Sequence, residues 1–422
     1  MAEFSSTETG YGWTIVTARM PHLQSLTMGL SVGVGSRHES TEEAGAAHFV
    51  EHLLFKGTER RSPLQLALDV EGLGGSFNAY TSEDSTQLEM RGPSDLMPHL
   101  ADVLCDMAFH STFPEDELER EREVIEEEII LYQESPGEHL GDLASRAMWN
   151  DHPLGRPILG TNESLASLDQ AQLLEFQTRH YRQPGGVIAV AGDLVHGAVV
   201  DTFMGLLPNS PLPRAADPLA FSLSEFSGPN LVRESRPIEQ FHLSLGFHAP
   251  GRHSDDRYAM KLLSLLLGET MSSRLFQEIR EKRGLCYHIG TDVAQFAETG
   301  SFQISAGLDA ERLDVAMEAI QKVLLTIIDE GPTHRELEQA KRYLVGQSRV
   351  GLETSAAHMG WIADSMLYYR DLESPASVRA RYLAVSRDEV HEIAKTLFQR
   401  SRLGIALIGP NAESWEPDLL LD

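Results

Sequence analysis

The sequence predicts an α+β fold made of two homologous domains, each a mostly antiparallel sheet with helices packed on one face. Three observations carry that expectation. A chain of 422 residues is too long for one compact core. Strand-like alternation and helix-like periodicity recur in the same order in both halves. Around residues 205–230, the stretch LLPNSPLPRAADPLAFSLSEFSGPN is rich in Pro and Ser and has no helical period, as expected of a linker. The expected division is therefore a first domain over 1–210, a linker over 211–230 and a second domain over 231–422.

Each half opens with an alternating strand, SLTMGLSVGVGSRHES at 25–40 and FHLSLGFHAPGRHSDD at 241–256. An apolar helix comes next, AAHFVEHLLFKGT at 46–58 and YAMKLLSLLLGET at 258–270. A Gly-containing turn and two strands follow, GGSFNAYTSEDSTQLEMRG against YHIGTDVAQFAETGSFQISAGL. Long helices are predicted at about 95–109 and 310–329. A second helix then starts beside a proline in each half, FPEDELEREREVIEEEII and GPTHRELEQAKRYLVGQS. The closing strands are GGVIAVAGDL at 185–194 and LGIALIGPN at 403–411. Helices segregated to one side of such sheets define the α+β class.

Composition narrows the function. The hydrophobic share of 41% is ordinary for a globular chain, and no apolar run reaches the ~18 residues of a membrane span. The start, MAEFSSTETGYGW, lacks the basic and apolar stretches of a secretory signal. Two cysteines, Cys105 and Cys286, cannot build a disulfide framework, so a reducing, cytoplasmic compartment is expected. A formal charge of −28 argues against nucleic acid, whose phosphates need a basic partner surface. The acidity suits solubility, or the attraction of basic peptides.

The chemistry concentrates in the first apolar helix. His48 and His52 are four apart, so they share a face and can aim at one point, as two zinc ligands do. Glu51 borders that face without being an obvious ligand. Aligning the halves on Thr58 and Thr270 sets Met260, Leu263 and Ser264 opposite His48, Glu51 and His52. Groups needed for folding would be kept in both copies, so their restriction to one favours a site. A zinc ion needs at least one more protein ligand, with a fourth position left for water in a catalytic site. The helix LEREREVIEEEII offers Glu119, Glu121, Glu123, Glu126, Glu127 and Glu128, most of them on a solvated face. Leu118, Ile125, Ile129 and Tyr132 form its apolar stripe. Glu121 and Glu128 flank that stripe about 10.5 Å apart along the axis, so one can be a ligand and the other a neighbour.

The pattern HFVEHLLFKGT, followed much later by EVIEEE, resembles the inverzincin metallopeptidases, also called the pitrilysin or M16 family. GGSFNAYTS, HPLGRPILGT at 152–161 and MSSRLFQEIREKRGLCY at 271–287 extend the likeness over nearly the whole chain. The first half is most similar to the β subunit of mitochondrial processing peptidase and its bacterial homologues. The resemblance implies a LuxS/MPP-like metallohydrolase fold and one Zn2+ per chain on His48, His52 and Glu128. It implies Glu51 as general base to a zinc-activated water, Glu121 as the accessory glutamate, and Arg280 with Tyr287 as a pair contacting the substrate carbonyl. The strand Asn78, Ala79, Tyr80, Thr81 would be an exposed edge that binds substrate backbone.

The implied activity is endopeptidase cleavage of unfolded or presequence-like peptides in a closed chamber. In the family that chamber takes four such domains, so a homodimer is expected, or a heterodimer with a metal-less paralogue. Two other functions fit the same residues: a non-catalytic peptide-binding or structural subunit, and a maturation peptidase with a single substrate.

Overall fold

The structure is a computed structural model that describes residues 2–209 and 212–421; positions 210 and 211, where the expected first domain meets the linker, lie outside the described residues. The chain forms two compact units. The first comprises Met1–Ile130, Arg156–Leu219 and Arg349–Glu373. The second comprises Leu131–Gly155, Ala220–Ser348 and Ser374–Asp422.

The first unit is built on a sheet of β1 (Glu3–Glu8), β2 (Thr14–Arg19), β3 (Ser25–Val32), β4 (Ser76–Thr81), β5 (Thr86–Pro93) and β6 (Val187–Gly192). Its strand order is β1-β2-β6-β3-β5-β4, and every neighbouring pair is antiparallel except β2 with β6. Strand β4 is therefore an edge. One sheet face, with Leu26, Met28, Leu30, Ile188 and Val190, packs under the helices and makes the main core. The alternate residues Val187, Ala189 and Ala191 meet Met359, Ile362 and Ala363 of the helix Ser355–Asp364. A single helix thus covers the opposite face, which explains why β6 is apolar at both phases and buried throughout.

The second unit repeats the plan with β7 (Asn230–Ser235), β8 (Gln240–Pro250), β9 (Cys286–Gln295), β10 (Thr299–Asp309) and β11 (Leu403–Gly409). The order is β7-β11-β8-β10-β9, again with one parallel pair, β7 with β11. Helices Arg257–Ser264, Leu313–Glu330 and Arg387–Leu397 supply its main core. Its opposite face takes the helix Pro136–Trp149, through Leu140, Leu143 and Ala144 against Ala406 and Ile408. Each sheet thus draws one covering helix from the half of the chain that builds the other sheet.

The α+β class and the repeated element order agree with the sequence prediction. One detail differs. Leu118, Ile125 and Ile129 are buried as the helical phase required, but Tyr132 is 39% exposed. It lies in the last turn of the helix Glu115–Glu134, past the segment that packs on the first core.

One buried group makes the second unit sensitive to acid. His248 is 1% exposed, and its ring lies among aromatic side chains beside the Met148 backbone. Phe221 stacks on it at 4.7 Å, while Trp149 and Phe226 approach edge-on at 4.6 and 4.3 Å. Burial in this aromatic nest pushes the imidazole down to about 4. The folded value lies below the unfolded one, so the unfolded chain binds the extra proton. Stability is complete above about pH 6.5 and is lost as pH falls towards 4, by roughly 3 kcal/mol for this group. Replacing His248 by Phe should flatten the pH dependence of the melting temperature over that window by this share. An unchanged slope would show that His248 is already protonated or solvated in the folded protein.

Candidate metal centre

The site begins with the helix Ala46–Leu53. Ala46, Ala47, Phe49, Val50 and Leu53 are buried, leaving His48, Glu51 and His52 on the remaining face. Complete burial of Phe49, Val50 and Leu53 contributes about 1.5–3 kcal/mol each and fixes the rotation of the helix. Its N-terminus carries an unusual cap. Gly45 is left-handed at φ 91° and has no side chain to offer the first amides. Glu39, six residues earlier, serves instead, accepting from the Gly45 amide at 2.9 Å and the Ala47 amide at 2.8 Å. Burial pushes the Glu39 carboxyl up to about 8, against the pull of those two amides.

The segment HPLGRPILGT braces the same turn. Arg156 donates to the Glu39 and Ser40 carbonyls at 2.7 and 2.9 Å. Gly45 and Gly160 (φ 74°) approach closely enough that a Cβ on Gly160 would lie 2.7 Å from the Ala44 oxygen. This bracing role is one that spacing alone does not reveal.

The two imidazoles stand 4.6 Å apart between ring centroids, as the four-residue spacing requires. The third member comes from the glutamate-rich helix Glu115–Glu134. Glu128 Oε2 lies 3.8 Å from His48 Nε2 and 3.7 Å from His52 Nε2. These separations are too long for hydrogen bonds. One ligand atom from each of the three residues lies within 4.8 Å of the others. Tetrahedral zinc with bonds of about 2.0–2.2 Å holds its ligand atoms roughly 3.3–3.6 Å apart. Imidazole and carboxylate are donor types that suit it. Burial, with the neighbouring His52, holds His48 down at about 4, so the ring is uncharged at neutral pH. The donor set and spacing fit zinc.

Glu121 sits on the other side of His52. Its Oε2 is 3.0 Å from His52 Nδ1, and its Oε1 is 2.6 Å from Lys56 Nζ. Burial pushes the Glu121 carboxyl up, but the bonds from His52 and Lys56 outweigh it and hold the group below its usual value. The fold therefore gives the two glutamates different places: Glu128 faces the Nε2 atoms and Glu121 the far nitrogen of His52. Arg122 ties the same helix down, with its guanidinium 5.5 Å from the Phe49 ring and a 2.9 Å bond to the Leu168 carbonyl.

Glu51 accepts a 2.6 Å hydrogen bond from Thr81 of β4. Burial raises its carboxyl above the usual range, against the Thr81 bond and the nearby His52. In β4, Ala79 is buried, Asn78 is exposed, and Tyr80 is 48% exposed. The strand joins β5 on one side and ends the sheet on the other. Arg280 and Tyr287 belong to the second unit. Arg280, on the helical turn Phe276–Lys282, has its guanidinium 5.6 Å from the Tyr287 ring, which is 79% exposed. Sequence reasoning missed Lys56, Glu39 and the Thr81 hydroxyl; Lys56 alone carried a signal, being a lone cation four residues beyond His52.

Residues 14–162 match the family described as "Insulinase (Peptidase family M16)", and residues 167–344 match "Peptidase M16 inactive domain". An "uncharacterized zinc protease" of Mycobacterium tuberculosis is 36% identical over 95% of this chain and 92% of its own length. Another from Bacillus subtilis is 34% identical over 95% of this chain and 97% of that protein. Among solved structures, a protease from Helicobacter pylori superposes with a TM-score of 0.90 at 22% identity, covering 97% of this chain and 100% of that one. A "peptidase M16 inactive domain" from Pseudomonas fluorescens also gives 0.90 at 22% identity, over 98% and 99%. These two likenesses establish the fold.

Glu39→Gln keeps the side-chain shape but turns an NH2 group towards a backbone amide. It should lower the unfolding free energy by about 1–3 kcal/mol. A denaturant midpoint equal to wild type would show that the Glu39 carboxyl group does not cap the helix.

Proposed function

Because this chain belongs to peptidase family M16, we propose that it is a zinc-dependent endopeptidase acting on unfolded or presequence-like peptides. The observation that carries the reading is the meeting of His48 Nε2, His52 Nε2 and Glu128 Oε2 beside the Glu51 carboxylate. Bound zinc would supply a Lewis acid that makes water a competent nucleophile at neutral pH. The chain's own residues then have separate tasks. Glu51 takes the proton of the attacking water and passes it to the leaving amine nitrogen, a role worth roughly 10²–10⁴-fold. Thr81 holds Glu51 in place from β4, so the base is tied to the strand that would receive substrate. A peptide adding alongside Asn78–Thr81 gains main-chain hydrogen bonds with little demand on its sequence. Glu121 touches His52 and acts through it, which makes it a positioning residue.

Arg280 and Tyr287 would donate to the scissile carbonyl of a substrate held by a second copy of the chain, in a homodimer. Their mutual contact and the exposure of Tyr287 leave them available for that role. The two free thiols, Cys105 and Cys286, suit a reducing, cytoplasmic setting. The non-catalytic alternative draws on the second half, where Met260, Leu263 and Ser264 are fully buried in place of ligands. The intact set in the first half favours the enzyme.

Glu51→Gln should keep one zinc per chain and lose peptide hydrolysis by at least 10²-fold, because the base is not a ligand. Zinc lost together with activity would contradict that role. A panel of unrelated peptides separates a broad endopeptidase from a single-substrate one. Mixing Glu51→Gln protein with Arg280→Ala/Tyr287→Phe protein should restore activity if each site combines two chains. Subunit exchange without recovery would rule out the shared site.

A further inference from the structure

Lys56 has no part in the chemistry described above, yet it lies where it can act on the metal centre. It follows the motif helix by three residues, and its Nζ lies 2.6 Å from Glu121 Oε1. The other Glu121 oxygen is 3.0 Å from His52 Nδ1, and His52 Nε2 faces Glu128 Oε2 at 3.7 Å. An ammonium, a carboxylate and an imidazole therefore stand in a row that ends at the ligand cluster. Glu121 is the most buried of the row: its side chain is 8% exposed, against 28% for Lys56 and 20% for His52.

The competing interpretation is an ordinary salt bridge, and exposed pairs contribute little. Two observations argue against it. The carboxylate is nearly buried and uses both oxygens, so removing the ammonium would leave one oxygen without this partner and free the group to rotate. The internal repeat also discriminates. The alignment that sets Thr58 on Thr270 sets Lys56 on Gly268, so the second half lacks the cation as well as the ligands.

We propose that Lys56 is a positioning residue of the metal centre: it holds Glu121 in the orientation that keeps the proton on His52 Nδ1 and turns the Nε2 lone pair towards the cation. The inference rests on the metal-site reading given above. Partners of this kind typically change metal affinity by 10–100-fold.

The test uses the full chain, stripped of metal and titrated with zinc against a chromophoric chelator. Lys56→Met should weaken zinc binding by about 10–100-fold in protein that still folds without zinc. Lys56→Arg, which keeps a cation in reach of Glu121, should recover most of that loss. Nitrogen-15 NMR of the zinc-free histidines adds a readout that a merely structural lysine would not move. His52 should show a protonated Nδ1 in wild type and a mixture of tautomers in Lys56→Met. If Lys56→Met does not fold, Lys56→Gln takes its place with the same expected weakening. Zinc affinity within about threefold of wild type, with the His52 tautomer unchanged, would overturn the role of Lys56 and leave the metal site standing. Wild-type protein that binds no zinc would overturn both.

Discussion

The first unit depends on one constraint: three electron-rich groups from two separate helices are held close together with no hydrogen bonds among them. His48 and His52 are placed by helical spacing, and Glu128 arrives from a segment that begins after Pro114. A carboxylate and two imidazoles at 3.7 and 3.8 Å make no hydrogen bonds with one another. Their arrangement makes sense as a cage for a divalent cation, which would replace the missing hydrogen bonds by coordination. The surrounding structure absorbs the cost of keeping that cage ready. Phe49, Val50 and Leu53 lock the rotation of the motif helix, Glu39 closes its first turn, and Arg122 and Glu121 dock the second helix onto it.

The same topology runs through the second unit without any of this chemistry. Met260, Leu263 and Ser264 occupy the positions of the polar trio and are entirely buried, so the second copy uses its helix as plain core. The comparison separates what the fold requires from what the site requires. An apolar helix beneath a mostly antiparallel sheet is common to both units. The histidines, the paired glutamates and Lys56 are extra to folding, and they occur together only where the cage occurs.

Much of this was legible in the sequence for physical reasons. Alternation marks strands and helical phase marks buried faces, which is why β3, β8, the helix Met97–His110 and the stripe Leu118, Ile125, Ile129 fall where expected. The same phase argument placed Glu121 and Glu128 beside that stripe but could not say which faced the histidines. That choice depends on the packing of two helices far apart in the chain. The exchanged helices were not legible either. An apolar face on Pro136–Trp149 or Ser355–Asp364 shows that the helix must be covered, not which sheet will cover it. Tyr132 shows the converse, since an apolar residue in phase stays exposed once the helix leaves its core. The cap from Glu39 and the bond from Thr81 to Glu51 join residues across loops, where no periodicity exists to report them.

The central claim is that His48, His52 and Glu128 close around one cation, and the most direct measurement is the zinc-loaded protein seen by anomalous diffraction at the zinc edge. The account predicts a single peak bonded to both Nε2 atoms at about 2.0–2.1 Å and to a Glu128 oxygen at about 2.0–2.2 Å, with one coordination position open to solvent. A peak elsewhere, or zinc on the two histidines with Glu128 turned away and another side chain in its place, would contradict it.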